Sequence, residues 1–235
     1  MDLIRLQKYI SEAGICSRRQ AERYMQSGRV RVNGEVVTTL GTKIDPQQDR
    51  VAVNDQEIKP VRKAVYIALH KPEGVVSSCR HAGQKVVVDL IDLPERVYPI
   101  GRLDKDSTGL LLLTNDGRLH HRLSHPSFDH EKVYEVGVDR VITDGALNRM
   151  AKGMLLRDTR TRPAKVKRLS GRRFRIVLQE GRNRQIRRML RKLGYQVSTL
   201  KRVRMANIRL GNLAPGEWRY LTRIEKERLL KDIDT

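Results

Sequence analysis

Between Gly101 and Gly109 the chain reads Gly-Arg-Leu-Asp-Lys-Asp-Ser-Thr-Gly, and it runs straight into Leu110-Leu111-Leu112-Leu113-Thr114. A polar loop bracketed by glycines and set against consecutive leucines predicts a tight connection entering a strand buried on both faces. Asp104, preceded by Leu103 and flanked by Arg102 and Lys105, is thereby pushed towards the core. An ionised carboxylate is costly there unless a positive group answers it, and such an expense marks a nucleophile or a base. The plainer reading is that Asp104, Asp106 and Ser107 cap a turn, as Asp and Ser in glycine-bracketed loops commonly do.

Two other stretches carry side chains of chemical interest. In Lys132–Val138, Tyr134 and Val136 alternate with Val133 and Glu135, which predicts a strand that turns the Tyr134 ring inward, as core or as a flat binding surface. In Glu180–Leu193, Ile186, Met189, Leu190 and Leu193 form the apolar stripe of a helix that Gly194 ends. Arg182, Arg184, Arg187 and Arg188 are left on its other faces and approaches, where a phosphate-binding surface is the simplest use for them.

Charge points the same way. The formal net charge is +21, yet 39% of residues are apolar, so the chain is a folded basic protein rather than a disordered tail. From Arg172 to Arg204 twelve Lys or Arg face the single acid Glu180, a concentration that repels itself until phosphates neutralise it. A nucleic acid is the expected partner, and no apolar run approaches the length of a membrane span. Met1–Arg5 lacks the apolar core of a secretory signal, and Cys16 and Cys79 have no CxxC spacing. Reduced, structural thiols in a cytoplasmic protein are therefore expected. His120, His121, His125 and His130 are close in sequence, but without HExxH or a cysteine pair they predict no metal site. No glycine-rich phosphate loop is present, so no nucleotide cofactor is indicated.

The elements that must hold these residues can be read in order. Leu6, Ile10 and Ala13 predict a short helix stopped at Gly14. Ser17 and Gln20 have capping-box spacing ahead of Ala21, Tyr24 and Met25, and Gly28 closes this second helix. Its start carries Arg18, Arg19 and Arg23, placed where side-chain charge and the helix dipole both attract phosphate. Val30–Val32, the turn pair Asn33-Gly34 and Val36 predict a hairpin, with Val51 and Val53 as further strand. Lys59-Pro60-Val61-Arg62-Lys63 reads as a linker. Beyond it, Val65–Leu69 predicts an apolar strand broken by His70-Lys71-Pro72-Glu73-Gly74. Asp144–Ala151 predicts a helix, Phe174–Leu178 a strand with one basic face, and Val197–Leu210 the closing strands. Thr222 with Glu225 caps a terminal helix through Leu229, beneath which Trp218 and Tyr220 are expected to pack.

Three of these motifs, in this order, resemble a known family. Gly-Arg-Leu-Asp-x-x-Ser-x-Gly-Leu-Leu-Leu-Leu-Thr, Lys132-x-Tyr134 and Gly181-Arg182-x-x-Gln185-Ile186-Arg187-Arg188-Met189 are similar to the motifs of the RsuA/RluB/RluE/RluF pseudouridine synthases. Within that family, Asp104–Ser107 and Asp129–Lys132 lean towards the RluF type. Residues 3 to 60 resemble the RNA-binding domain of the ribosomal-protein-S-four type (αL). The resemblance implies an α+β protein: an RNA-binding domain over 1–60, a linker over 61–64, and over 65–235 a catalytic domain with a mixed, mostly antiparallel sheet flanked by helices.

It also implies roles. Asp104 would be the essential aspartate, Tyr134 would stack on the target uracil, and Arg187, with Arg188 as fallback, would pair with Asp104. Arg102 would occupy the space vacated by a flipped base. Lys71 of the Lys-Pro-x-Gly break, Lys132, Arg182 and Arg184 would face RNA. The implied reaction isomerises a uridine of ribosomal RNA without a cofactor, in a monomer, with large-subunit RNA favoured over small-subunit RNA and tRNA a further candidate. A non-catalytic RNA-binding assembly factor is the alternative. A DNA-binding helix-turn-helix fits less well, because an Asn-Gly hairpin follows the paired helices.

Overall fold

A computed structural model describes residues 3–60, 63–124, 130–156 and 159–234. Val61 and Arg62 of the expected linker, and His125 and Asp129 of the motifs above, lie outside the described residues. The chain divides into two compact units: Met1–Ala64 with Pro94–Arg96 and Asn115–Gly117, and the remainder.

In the first unit, α1 (Leu6–Glu12) and α2 (Arg18–Gln26) pack on an antiparallel sheet of β1 (Val30–Val32), β2 (Glu35–Val36), β3 (Val51–Val53) and β4 (Gln56–Ile58). Ser17 caps α2 as its spacing predicts, its Oγ accepting from the Gln20 amide at 3.2 Å. Leu6, Ile10, Ala21 and Met25 are buried against Val30, Val51 and Val53. With the apolar stripe so used, Arg18, Arg19 and Arg23 are left exposed.

The second unit is built on a nine-stranded sheet. Its strands are β5 (Tyr66–Lys71), β6 (Tyr98–Ile100), β7 (Thr108–Thr114), β8 (Lys132–Val138), β9 (Lys165–Ser170), β10 (Arg173–Leu178), β11 (Val197–Met205), β12 (Ile208–Arg209) and β13 (Trp218–Tyr220). The main order is β9-β10-β8-β11-β7-β5-β13, with β6 paired to β7 and β12 to β11. The pairing of β11 with β7 is parallel and the others are antiparallel, so the sheet is mixed.

The leucine run of β7 is explained by its position. Leu110 and Leu112 enter one core with Ala68, Leu119 of α3 (Gly117–Ser124), Met205 and Leu229, whereas Leu111 and Leu113 enter another with Ile67, Leu69 and Val97. A strand covered on both faces reads as a continuous apolar run. The β9–β10–β8–β11 half differs: Val136, Phe174, Ile176 and Leu200 pack on one face only, against Leu147 and Met150 of α4 (Asp144–Ala151) and Ile186, Met189 and Leu190 of α5 (Gln185–Lys192).

α6 (Arg223–Asp234) starts with the expected reciprocal cap, Thr222 Oγ1 accepting from the Glu225 amide and Glu225 Oε2 from the Thr222 amide. Trp218 and Tyr220 do not pack beneath it. On β13 it is Arg219 that reaches the helix, pairing with Glu225 at 2.7 Å, and strand alternation sends its two neighbours the other way. Trp218 packs beside Val65 and Leu69, and Tyr220 is half exposed.

Gly109 lies where β7 first meets β11, with φ +105°, and a Cβ there would stand 2.3 Å from the Arg202 carbonyl oxygen. Gly101 has φ +69° but open space around it. We expect Gly109→Ala to destabilise the protein by at least ~2 kcal/mol more than Gly101→Ala, because backbone contact adds to the conformational strain the two share. Urea unfolding of both variants tests this, and equal losses would show that the strand approach is not limiting.

Candidate active site

The turn Asp104–Ser107 is closed by the Ser107 amide donating to the Asp104 carbonyl at 3.0 Å, and two remote elements hold it. From the end of β5, the fully buried Lys71 donates through Nζ to the carbonyls of Ser107 at 2.8 Å, Lys105 at 3.3 Å and Pro72 at 2.8 Å. The Gly74 amide also reaches the Lys105 carbonyl. Ser77, buried, accepts from the Leu103 amide and donates to the Leu103 carbonyl, so the residue before Asp104 is clamped on both sides.

From the α5 side come the arginines. Arg187 donates to the Asp106 carbonyl at 2.7 Å and lies 3.3 Å from the Asp106 carboxylate. Arg184 forks onto the Asp106 carboxylate at 2.8 and 3.2 Å, and its Nη1 stands 3.6 Å from Asp104 Oδ2. Burial raises the Asp106 carboxyl, but the Arg184 hydrogen bond and the two guanidinium charges outweigh it and hold the group below the usual carboxylate range.

The α5 entry is itself fixed by Glu180, whose carboxylate accepts from Gln185 Nε2 at 2.6 Å, Arg182 Nε at 2.9 Å and the Arg162 amide at 3.1 Å. Arg184 takes a left-handed backbone, φ 50°, at this corner.

Asp104 and Tyr134 line one cavity of about 300 Å³, with Arg102, Leu178, Arg182, Arg184, Ile186 and Leu200 also around it. Tyr134 stands in register between Ile176 of β10 and Arg202 of β11, so its ring rises from the sheet face that α5 covers. The volume lies at the low end for small-molecule pockets, and its mixture of apolar wall, ring and guanidinium groups suits one planar polar group. Arg102 is exposed and makes no ion pair or side-chain hydrogen bond among the described residues. Lys132 reaches Gly181 at the rim, its Nζ 3.9 Å from where a Cβ would sit. Among the described residues no three His, Cys, Asp or Glu side chains are grouped to hold a metal.

Several sequence expectations are corrected. The cation beside Asp104 is Arg184, because Arg187, one turn further along α5, meets Asp106. Arg188 turns away to Asn183 Oδ1 at 2.6 Å. Asp104 is not sunk in the core, since its side chain keeps 29% exposure at the cavity wall. Lys71 does not face RNA, being 0% exposed and spent on loop carbonyls. Sequence reading also missed Ser77, which carries no motif, and Arg202, a β11 arginine 2% exposed that donates to the Leu110 carbonyl.

Burial lowers the Lys71 ammonium from its ordinary value to about 8, against the raising influence of Asp106, Glu73 and Asp104. Above about pH 8 the folded amine is neutral while the unfolded one still holds its proton to ~10.4, so this group adds stability as pH rises through that window. Lys71→Met removes that linkage and takes the ammonium donor from three carbonyls, that of Lys105 keeping the Gly74 amide, a loss of about 2–4 kcal/mol at pH 7. Urea titrations at pH 7 and 9.5 should show the gap between wild type and variant widening at the higher pH. A gap that narrows or stays constant would contradict the assignment.

Comparison with known proteins gives this arrangement its setting. The family model for RNA pseudouridylate synthase matches residues 65–192, and the S4 domain model matches residues 4–51. The dual-specificity RNA pseudouridine synthase RluF of Escherichia coli K12 is 46% identical over 233 residues, covering 98% of this chain and 80% of that protein. The ribosomal large subunit pseudouridine synthase B of Bacillus subtilis is 42% identical, covering 96% of this chain and 95% of that one. A crystal structure of a pseudouridylate synthase superposes with a TM-score of 0.71 at 33% identity, over 96% of this chain and 99% of its own. With the Asp104 turn, the Tyr134 strand and the basic α5 entry meeting at one cavity, and with a matching model over more than half its length, the chain belongs to the RsuA-type RNA pseudouridine synthases that carry an S4 domain.

Proposed function

We propose that the chain converts a specific uridine of ribosomal RNA, in the large subunit, to pseudouridine, with Asp104 as the carboxylate that acts on the nucleotide. The reading rests on one observation: Asp104 and Tyr134 share a cavity, with the Arg184 guanidinium 3.6 Å from the carboxylate. The glycosidic bond between ribose C1′ and uracil N1 breaks, the base turns, and a bond from C1′ to C5 replaces it. The proton lost from C5 balances the one gained at N1, so neither oxidant nor cofactor is consumed.

Attack on the sugar, attack on the ring and removal of a sugar proton each call for the carboxylate form of Asp104. The uridine must leave its stack to enter, with Tyr134 under the base and Arg102 in the vacated space. Lys132 and Arg182 at the rim meet the flanking backbone. In this reading residues 1–60 form an RNA-binding domain whose Arg18, Arg19 and Arg23 hold phosphates, 61–64 is a linker and 65–235 is the catalytic domain. The protein works as a cytoplasmic monomer, and tRNA is a further candidate substrate, since the RluF relative is named a dual-specificity enzyme.

Asp104→Asn should lower pseudouridine formation at least ~1000-fold while RNA affinity stays within about threefold, consistent with loss of a group acting in the reaction itself. Mapping pseudouridines across rRNA from cells with and without the gene identifies the site, and normal turnover by the variant would refute the proposal. Arg184→Gln should lower kcat about 10- to 100-fold with KM within about threefold, since the fork that fixes the Asp106 side of the turn is lost. A raised KM with kcat unchanged would show that Arg184 serves only to bind.

A further inference from the structure

The β9–β10–β8–β11 half of the sheet has a second face that none of its helices covers. α4 and α5 pack on the side bearing Val136, Phe174, Ile176 and Leu200, which is also the side of the Tyr134 cavity. Strand register fills the other side with charge: Lys167, Arg175, Glu135 and Lys201 stand side by side across the four strands. Lys165 and Arg173 extend the patch on the same face, the first beside Val177 and Val133 and the second beside Gly137.

The carboxylates on this face are already engaged. Glu135 holds Arg175 at 2.7 Å and Arg173 at 3.6 Å, and Glu131 holds Arg204 as well as Lys165 at 3.6 Å. Lys167 and Lys201 have no carboxylate within ion-pair distance among the described residues, and Lys167 stands directly opposite Arg175. Like charges opposite one another on a sheet are destabilising, and here an external anion would relieve the repulsion.

We propose that this face is a second RNA-contact surface, which takes backbone phosphates from a segment of the substrate lying outside the cavity. The proposal rests on the reading that the chain acts on RNA, and it adds where a large RNA is held. Lys167 and Arg175 stand about 4.8 Å apart across strands, and Lys165 and Lys167, like Arg173 and Arg175, about 6.7 Å apart along them, a spacing suited to a row of phosphates. No aromatic ring stands in the patch to stack a base, so the contact reads charge and shape rather than sequence. The patch has no apolar cluster to enter a bilayer either, since Val133 is buried, Val177 is half-buried and Leu169, 40% exposed, is a single side chain at the end of β9. A stem seated at the Tyr134 cavity occupies the opposite face of the same sheet, so the phosphates met here belong to another part of the molecule.

The test uses the full chain, a labelled RNA duplex of about twenty base pairs and a salt series. Replacing Lys165, Lys167, Arg173 and Arg175 with Gln should weaken binding at least tenfold and flatten the dependence of log Kd on log salt by about three. A control variant with Arg223, Lys226, Arg228 and Lys231 of α6 replaced by Gln removes the same formal charge and should lose less than threefold. Lys167→Ala, at an exposed side chain free of ion pairs, should lower the slope by about one without disturbing the fold. Equal losses in the two quadruple variants, or an unchanged slope, would overturn the proposal. So would loss of binding to anionic phospholipid vesicles with duplex affinity untouched. Asp104→Asn keeps this face intact, so failure of the isomerisation chemistry and failure of the contact surface are read in separate experiments.

Discussion

The site depends on one buried ammonium. Lys71 sits beneath the Asp104–Ser107 turn and donates to the carbonyls of Lys105 and Ser107. A turn inserted between strands has backbone oxygens to satisfy, and without water they need a side-chain donor. A charged donor makes the stronger bonds, and its desolvation is offset in part by the carboxylates of Asp106, Glu73 and Asp104 above it. The turn and its lysine therefore form one electrostatic unit, into which α5 inserts Arg184 and Arg187 from the other side. Ser77, gripping Leu103 at both backbone groups, sets where that unit begins.

The sheet supplies the rigid frame for this contact. β7 carries the turn at its start and is buried on both faces, so its position is held by two cores at once. At Gly109 it runs beside β11, close enough that only a hydrogen fits against the Arg202 carbonyl. β11 in turn pairs with β8, which carries Tyr134. Asp104 and Tyr134, thirty positions apart in the chain, are thus separated by a short run of backbone ladders, and neither loop flexibility nor a long side chain is needed to bring them to one cavity.

Much of this was legible in the chain because local patterns and tertiary demands agree. The leucine run predicts burial on both faces, Ser17 and Thr222 predict their helix starts, and the stripe Ile186-Met189-Leu190 predicts the buried side of α5. What was not legible is pairing. Four arginines between 182 and 188 look alike in sequence, and choosing among them needs the αL corner at Arg184, which turns that side chain towards both Asp104 and Asp106 while Arg187 is left with Asp106. Lys71 was misread for a related reason. A lysine beside a Pro-Glu-Gly turn looks solvated, and only the packed loop reveals that its charge is spent inside. Trp218 and Tyr220 were assigned to the wrong side of an edge strand because apolar character alone does not say which face a short strand turns to the helix.

Asp106 explains how Asp104 can stand beside an arginine with its oxygens unoccupied. Two guanidinium groups converge on this turn, and a carboxylate gripped by a bidentate fork has its lone pairs occupied and its basicity reduced. Asp106 accepts that fork at 2.8 and 3.2 Å, together with Arg187 at 3.3 Å. Asp104 sees Arg184 only at 3.6 Å, outside hydrogen-bond distance. Its side chain keeps 29% exposure at the wall of the cavity that Tyr134 also lines. The second aspartate of the motif, two residues on, therefore does a job that a turn cap would not require: it neutralises the arginines that fix the loop, and it leaves the oxygens of the first unoccupied at the cavity wall, as the proposed reaction requires.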